Sequence, residues 1–148
     1  MYTLEQVREH AEDKDYILNA IKEDSLLIEG ASEAIRDDKG IVMEAVAKDG
    51  GALEFASDRL KDDRDILMKA VETKGWVICY ASERLRKDKE LILKAAQKDG
   101  QILYYASKEI RDDDEVVMAA VKNKGLILKY ASKRLRSNKN IAIEAIKQ

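Results

Sequence analysis

The sequence predicts an all-α fold: an α-solenoid of five 25-residue two-helix repeats with one flanking helix at each end, about 12 short helices in all. Three observations carry this. The dipeptide Ala-Ser starts at residues 31, 56, 81, 106 and 131, an interval of 25 every time. An Asp or Asn stands at 13, 38, 63, 88, 113 and 138 with the same period. The chain has no proline and 5% aromatic residues, a composition that suits helices better than strands. A fixed period of this size marks units that stack and share a core with their neighbours.

The units fall at 16–40, 41–65, 66–90, 91–115 and 116–140, within a single domain spanning 1–148. A leading helix is expected from about Thr3 to Ala11. The first helix of each unit then follows an N-cap at Asp13, Asp38, Asp63, Asp88, Asp113 or Asn138. These side chains accept hydrogen bonds from the free N–H groups of the first turn. Asp15, Asp65, Glu90 and Glu115, two residues on, add negative charge where the helix dipole favours it. In the third unit Ile66, Leu67, Met68, Ala70 and Val71 cover about half the helix circumference, which places this helix in the interior, between its neighbours.

Gly50, Gly75, Gly100 and Gly125 are expected to stop that helix in the left-handed conformation. Ser25 holds the place in the first unit and predicts slight strain there. The second helix, 76–86 in the third unit, is read as continuous, with Val77, Ile78, Ala81 and Leu85 on its core face. Tyr80 borders that face, as do Phe55, Tyr105 and Tyr130, and Gly30 predicts a gap at the equivalent place. A basic residue closes each second helix: Arg36, Lys61, Arg86, Arg111 and Arg136. The last helix, 139–147, carries Ile141, Ile143, Ala145 and Ile146 with no following unit. That end is expected either to dock on another chain or to continue into a longer array.

The unit D-x-E-[ILV]-[ILV]-[LMI]-x-A-[AV]-x(3)-G-x-x-L-x-[YF]-A-S-x-x-L-R-x-D resembles the repeats of the family known as domain of unknown function 4116. Asp88, Glu90, Ala95, Gly100, Leu103, Tyr105, Ala106, Ser107 and Arg111 carry the resemblance in one copy. It extends over nearly the whole chain, and two adjacent units look like one copy of that family's domain. The resemblance implies a helical repeat fold and no activity, cofactor or catalytic residue.

The residues by themselves argue against catalysis. His10 is the only histidine and lies in the atypical leading helix, where a surface or packing role is the expectation. Cys79 is the only thiol, has no histidine near it in sequence, and reads as a tolerated free cysteine. One cysteine cannot form an internal disulfide and fits a reducing, cytoplasmic setting, although secretion without a cleaved signal leaves no trace in the sequence. The acidic runs Asp62-Asp63-x-Asp65 and Asp112 to Glu115 lack the central glycine and distal glutamate of a calcium loop, and N-capping accounts for them. The glycines are isolated, so no phosphate-binding loop exists. No cofactor or metal is expected, and no apolar run approaches a membrane span. The recurring serines (Ser32, Ser57, Ser82, Ser107, Ser132) are expected to permit close helix approach and to bond the carbonyl four residues back. The recurring base at 36, 61, 86, 111 and 136 is read as helix capping rather than a phosphate ladder.

Charge is lopsided. Residues 1–65 carry 18 acids and 9 bases, whereas 116–140 carry 7 bases and no acid. In a linear array this becomes a long dipole. The same reversal runs along positions 76, 79 and 83 of the second helix, opposite its core face. Unit by unit these read Leu26-Glu29-Glu33, Gly51-Glu54-Asp58, Trp76-Cys79-Glu83, Gln101-Tyr104-Lys108 and Leu126-Lys129-Lys133. Trp76, Cys79, Glu83, Tyr104, Lys108, Lys129 and Lys133 are therefore the candidate partner-binding residues for an unidentified protein or peptide. The competing reading packs Trp76, Leu26 and Leu126 on Val71, Ile21 and Val121 as helix-cap contacts. Nucleic-acid contact through Lys122, Lys124, Lys129, Lys133, Arg134, Arg136 and Lys139 is the second functional reading, opposed by the acidic first half. Self-association, acidic end to basic end, is the third.

Overall fold

The computed structural model describes residues 1–148 and is helical throughout, with ten α-helical segments and seven 3₁₀ segments and no strand. Its 39 buried apolar residues, from Val7 to Ile141, form one contiguous cluster that runs the length of the array. Each unit contributes the same kind of residue at the same place. In the fourth unit Leu91, Ile92, Ala95 and Ala96 come from the long helix, and Ile102, Leu103, Ala106 and Ile110 from residues 100–112 after it.

The long helices are Lys14–Glu23, Lys39–Lys48, Arg64–Ala70, Lys89–Lys98, Asp114–Asn123 and Lys139–Ile146. Their N-caps are the expected ones. Asp38 accepts from Ile41 N, Asp88 from Leu91 N and Asn138 from Ile141 N. Successive long helices pack on one another and form one layer. That layer is not buried all round: Ile92 and Ala95 are buried, Leu93 and Lys94 are half-buried in the seam between neighbours, and Gln97 faces solvent. The leading helix is shorter than expected, Leu4–Glu9, with Thr3 and Gln6 forming a reciprocal capping box. It fills the space beside Gly30. A Cβ on Gly30 would lie 2.8 Å from Val7 Cγ1, so the predicted gap does not exist.

The second layer differs most from expectation. No continuous eleven-residue helix forms. Each unit has a six-residue 3₁₀ segment, such as Gly75–Tyr80 or Gly100–Tyr105, then an extended Ala, then a short turn or helix such as Asp58–Lys61. The break falls at the Ala-Ser dipeptide. Ala81 has φ −66° and ψ 152°, outside any helix. The serine hydroxyl then accepts the backbone N–H three residues on, as Ser57 does from Leu60 and Ser82 from Leu85. Serine is thus an N-cap, not a back-bonded helix residue. Val77, Ile78, Ala81 and Leu85 remain buried, because a 3₁₀ segment and a restart keep the same residues inward.

The glycine expectation is also corrected. No residue, glycine included, has a positive φ, so neither a left-handed helix stop nor the predicted strain at Ser25 occurs. The reason for glycine is the next unit. A Cβ on Gly50, Gly75, Gly100 or Gly125 would overlap the carbonyl oxygen of Ala70, Ala95, Ala120 or Ala145, respectively. The close approach also satisfies the glycine N–H: Gly50 N donates to Thr73 Oγ1 and Gly100 N to Asn123 Oδ1, each at 2.7 Å.

Candidate functional site

The second layer presents the candidate surface. Each 3₁₀ segment is anchored by its buried residues, which turns positions 76 and 79 outward. Trp76 is 39% exposed, Leu26 40%, Tyr104 52% and Leu126 82%. Tyr105 on the same face is exposed too; the other exposed large apolar residues are Met1 and, on the last helix, Ile143 and Ile146. Glu29, Glu54, Lys129, and at position 83 Glu33, Asp58, Glu83, Lys108 and Lys133, are exposed as well. Gly51 is buried and offers only backbone.

Aromatic rings pair within units, and one pair, Tyr104 with Tyr130, bridges two of them. Trp76 meets Tyr80 edge-on with centroids 5.8 Å apart. Tyr104 is T-shaped to both Tyr105 and Tyr130, at 5.1 and 5.2 Å. The ammonium groups of Lys61 and Lys129 lie over the Tyr80 and Tyr130 rings, at 5.9 and 5.0 Å. Burial, then the neighbouring Glu54 carboxylate, raises the Tyr80 phenol above its ordinary value. The sequence marks the position-80 tyrosines only as borders of the core. Tyr105 and Tyr130 nonetheless extend the exposed cluster, and their 25-residue recurrence beside position 79 was the available signal.

Between units the same face carries open notches. One is lined by Glu33, Arg36, Asp37, Phe55, Ser57 and Asp58. Its counterpart further along is lined by Lys108, Glu109, Asp112, Ser132, Lys133 and Arg134. Position 83 thus supplies acids to the first notch and bases to the second.

The remaining candidate residues are held by local structure. Cys79 is half-buried, and burial pushes its thiol up, outweighing Arg86, so nothing activates it as a nucleophile. His10 stacks on Tyr16 at 4.0 Å, and its Nδ1 lies 2.9 Å from the Gln6 carbonyl oxygen. Of the recurring bases, Arg36, Lys61 and Arg136 stand in the last turn of a short α-helix, as expected of residues that complement its dipole. Arg36, Arg86 and Arg111 also donate Nε to the carbonyl of Ala31, Ala81 and Ala106 at the end of the 3₁₀ segment. Arg111 also donates Nη2 to the Tyr104 carbonyl, which fixes the backbone under the aromatic cluster. In the acidic runs, Asp63 and Asp113 are N-caps, while Asp62 and Asp112 bind Arg84 and Arg134. The structure has no group of three His, Cys, Asp or Glu side chains placed to hold a metal. No helix is long and apolar enough to cross a membrane.

Residues 13–61, 38–86, 63–111 and 113–148 each match the family model described as domain of unknown function (DUF4116). The first three matches are offset by one 25-residue unit, so one family domain spans about two units. The chain belongs to this family. No curated protein and no solved structure is matched by the chain.

Proposed function

We propose that the protein is a non-catalytic helical-repeat scaffold that binds protein or peptide along the exposed stripe of its 3₁₀ layer. The observation that supports this is the run of exposed Trp76, Tyr104 and Tyr105 across two adjoining units, on a face where charge also changes sign. Aromatic anchors with charged surroundings are the composition of recognition surfaces. The structural uses of the other recurring polar residues, as caps and as ties between units, leave this face as the part of the repeat that varies. The single free thiol favours a reducing compartment as its setting.

Panning a displayed peptide library against the protein tests the reading. Enriched peptides should bind the wild type and lose about tenfold or more with Trp76→Ala/Tyr104→Ala, at unchanged melting temperature. Peptides indifferent to that pair of substitutions overturn the stripe. A large fall in melting temperature on Trp76→Ala alone favours the cap-packing role for Trp76. The nucleic-acid reading is weaker, because Arg134 of the basic unit is already engaged by Asp112 and Asp114.

A further inference from the structure

We infer that the partner of the stripe is a second copy of this chain, docked antiparallel about a two-fold axis that passes beside Trp76 and Cys79. This rests on the stripe being the binding surface and goes further by naming the occupant.

The order of residues along the face carries the inference. Because the units repeat at a constant interval, a two-fold axis at the third unit sets the first unit opposite the fifth and the second opposite the fourth. Position 79 then pairs Glu29 with Lys129, and position 83 pairs Glu33 with Lys133 and Asp58 with Lys108. Position 76 pairs Leu26 with Leu126, both exposed. At the axis Trp76 meets Trp76, and Cys79 meets Cys79; these are the only tryptophan and the only cysteine of the chain. A self-complementary patch of this kind is the requirement for an isologous dimer, the commonest closed assembly. Opposite charges at the two ends fix the antiparallel direction, and the parallel arrangement would set acid on acid and base on base.

One pairing opposes the arrangement. Glu83 falls on its own copy at the axis. Lys87 lies 3.9 Å from Glu83 in the same chain and offsets that charge. The apolar surface at the axis is Trp76 with Tyr80 from the third unit; beside it Tyr105 faces Phe55 of the other copy, and Tyr104 faces Glu54, whose carboxylate its phenol can meet. Charged residues surround it, the layout of a dry centre with a polar rim. An end-to-end filament uses none of these pairings.

Sedimentation equilibrium of the whole chain, between about 10 and 200 µM, tests the inference. The expected mass rises from the 16.8 kDa chain toward twice that value and no higher. Raising salt from about 0.05 to 1 M should weaken the dimer several-fold, since the rim pairs are exposed. Lys129→Glu/Lys133→Glu should weaken it about tenfold or more, and adding Glu29→Lys/Glu33→Lys should restore it. Adding Glu12→Lys/Glu44→Lys instead restores the same net charge away from the stripe and should give no rescue. Copper-phenanthroline oxidation should join two chains through Cys79 in the wild type and not in the Lys129→Glu/Lys133→Glu variant.

A monomer at every concentration overturns the inference, as do species larger than a dimer or a charge rescue equally good from residues 12 and 44. None of these results touches the peptide-panning result for Trp76 and Tyr104. The failure of the dimer is therefore distinguishable from the failure of the stripe.

Discussion

Arg84 of the third unit reaches back to Asp62 of the second: its Nε donates to Asp62 Oδ1 at 2.9 Å and its Nη2 to the Asp62 main-chain carbonyl at 2.7 Å. Ser82, two residues earlier, donates its hydroxyl to the same carboxylate. The arrangement recurs as Arg59 and Ser57 on Asp37, and as Arg134 and Ser132 on Asp112. At the third joint the charges are exchanged, with Lys87 in place of the aspartate and Glu109 in place of the arginine. Hydrogen bonds from its own backbone and from Ser107, with the charge of Lys87, hold the Glu109 carboxyl below its ordinary value.

Asp62→Lys and Arg84→Glu should therefore each lower the melting temperature, by about 1–3 °C, and the double variant should recover most of the loss. Differential scanning calorimetry of the three variants and the wild type completes the cycle. Additive losses would show that the two residues do not act as a pair.

The third joint lacks more than the usual charge order. Ser57 N, Ser82 N and Ser132 N donate to the carbonyls of Arg36, Lys61 and Arg111, at 3.0, 3.1 and 2.9 Å, and Ser107 N makes no such bond. Native-state hydrogen exchange should find the Ser107 amide opening faster than the other three, by about tenfold or more. Equal protection at all four would contradict the break in the lattice.

The glycines divide into two kinds. Gly100→Ala drives a methyl group into the Ala120 carbonyl and should cost about 3 kcal/mol or more. Gly40 stands in the first turn of a long helix with only Asp38 Oδ1 near its Cβ position, at 3.4 Å. Gly40→Ala should be neutral or stabilise by up to about 1 kcal/mol. Urea unfolding of both variants measures the contrast; a harmless Gly100→Ala would remove the close-approach explanation.

Acid should loosen the array. Ser57 and Arg59 hold Asp37 below its ordinary 3.8, Ser82 and Arg84 do so for Asp62, and Arg64 for Asp88. A carboxyl whose pKa is depressed by folding takes up its proton first in the unfolded chain. Its contribution is complete above about pH 5 and is lost as pH falls through 3.8 toward the folded values. Urea midpoints should be flat from pH 7 to about 5 and fall steadily below 3.8. A midpoint unchanged at pH 3 would show that these carboxylates do not couple to stability.

The repeat, its N-caps and its core were legible in the sequence because each is a local pattern. Asp88 before Leu91 and Ile92 announces a capped amphipathic helix by itself. The form of the second layer was not legible. WVICYASERLR has the apolar spacing of a continuous helix, and Ala and Ser are both admissible inside one. The break recurs in every unit with the serine hydroxyl accepting an N–H three residues on, Ser82 and Ser107 alike, and in the third unit bonds from Ser82 to Lys61 and Asp62 of the preceding unit reinforce it. Gly100 misled because its constraint comes from Ala120, a full unit ahead. Of the candidate site, Trp76 and Tyr104 were found from their variation between units. The edge-on contact of Tyr104 with Tyr130 depends on how far apart stacking sets the units, which no single unit encodes.

Stability belongs to the stack and not to the unit, since 39 buried apolar residues form one cluster with no division between repeats. Circular dichroism of the isolated peptide 66–90 beside the full chain puts this to the test. The peptide should show little helix and no cooperative melting, while the full chain melts in a cooperative transition. A peptide 66–90 that folds and melts cooperatively as a monomer would show that one unit is stable without its neighbours, contrary to the shared core.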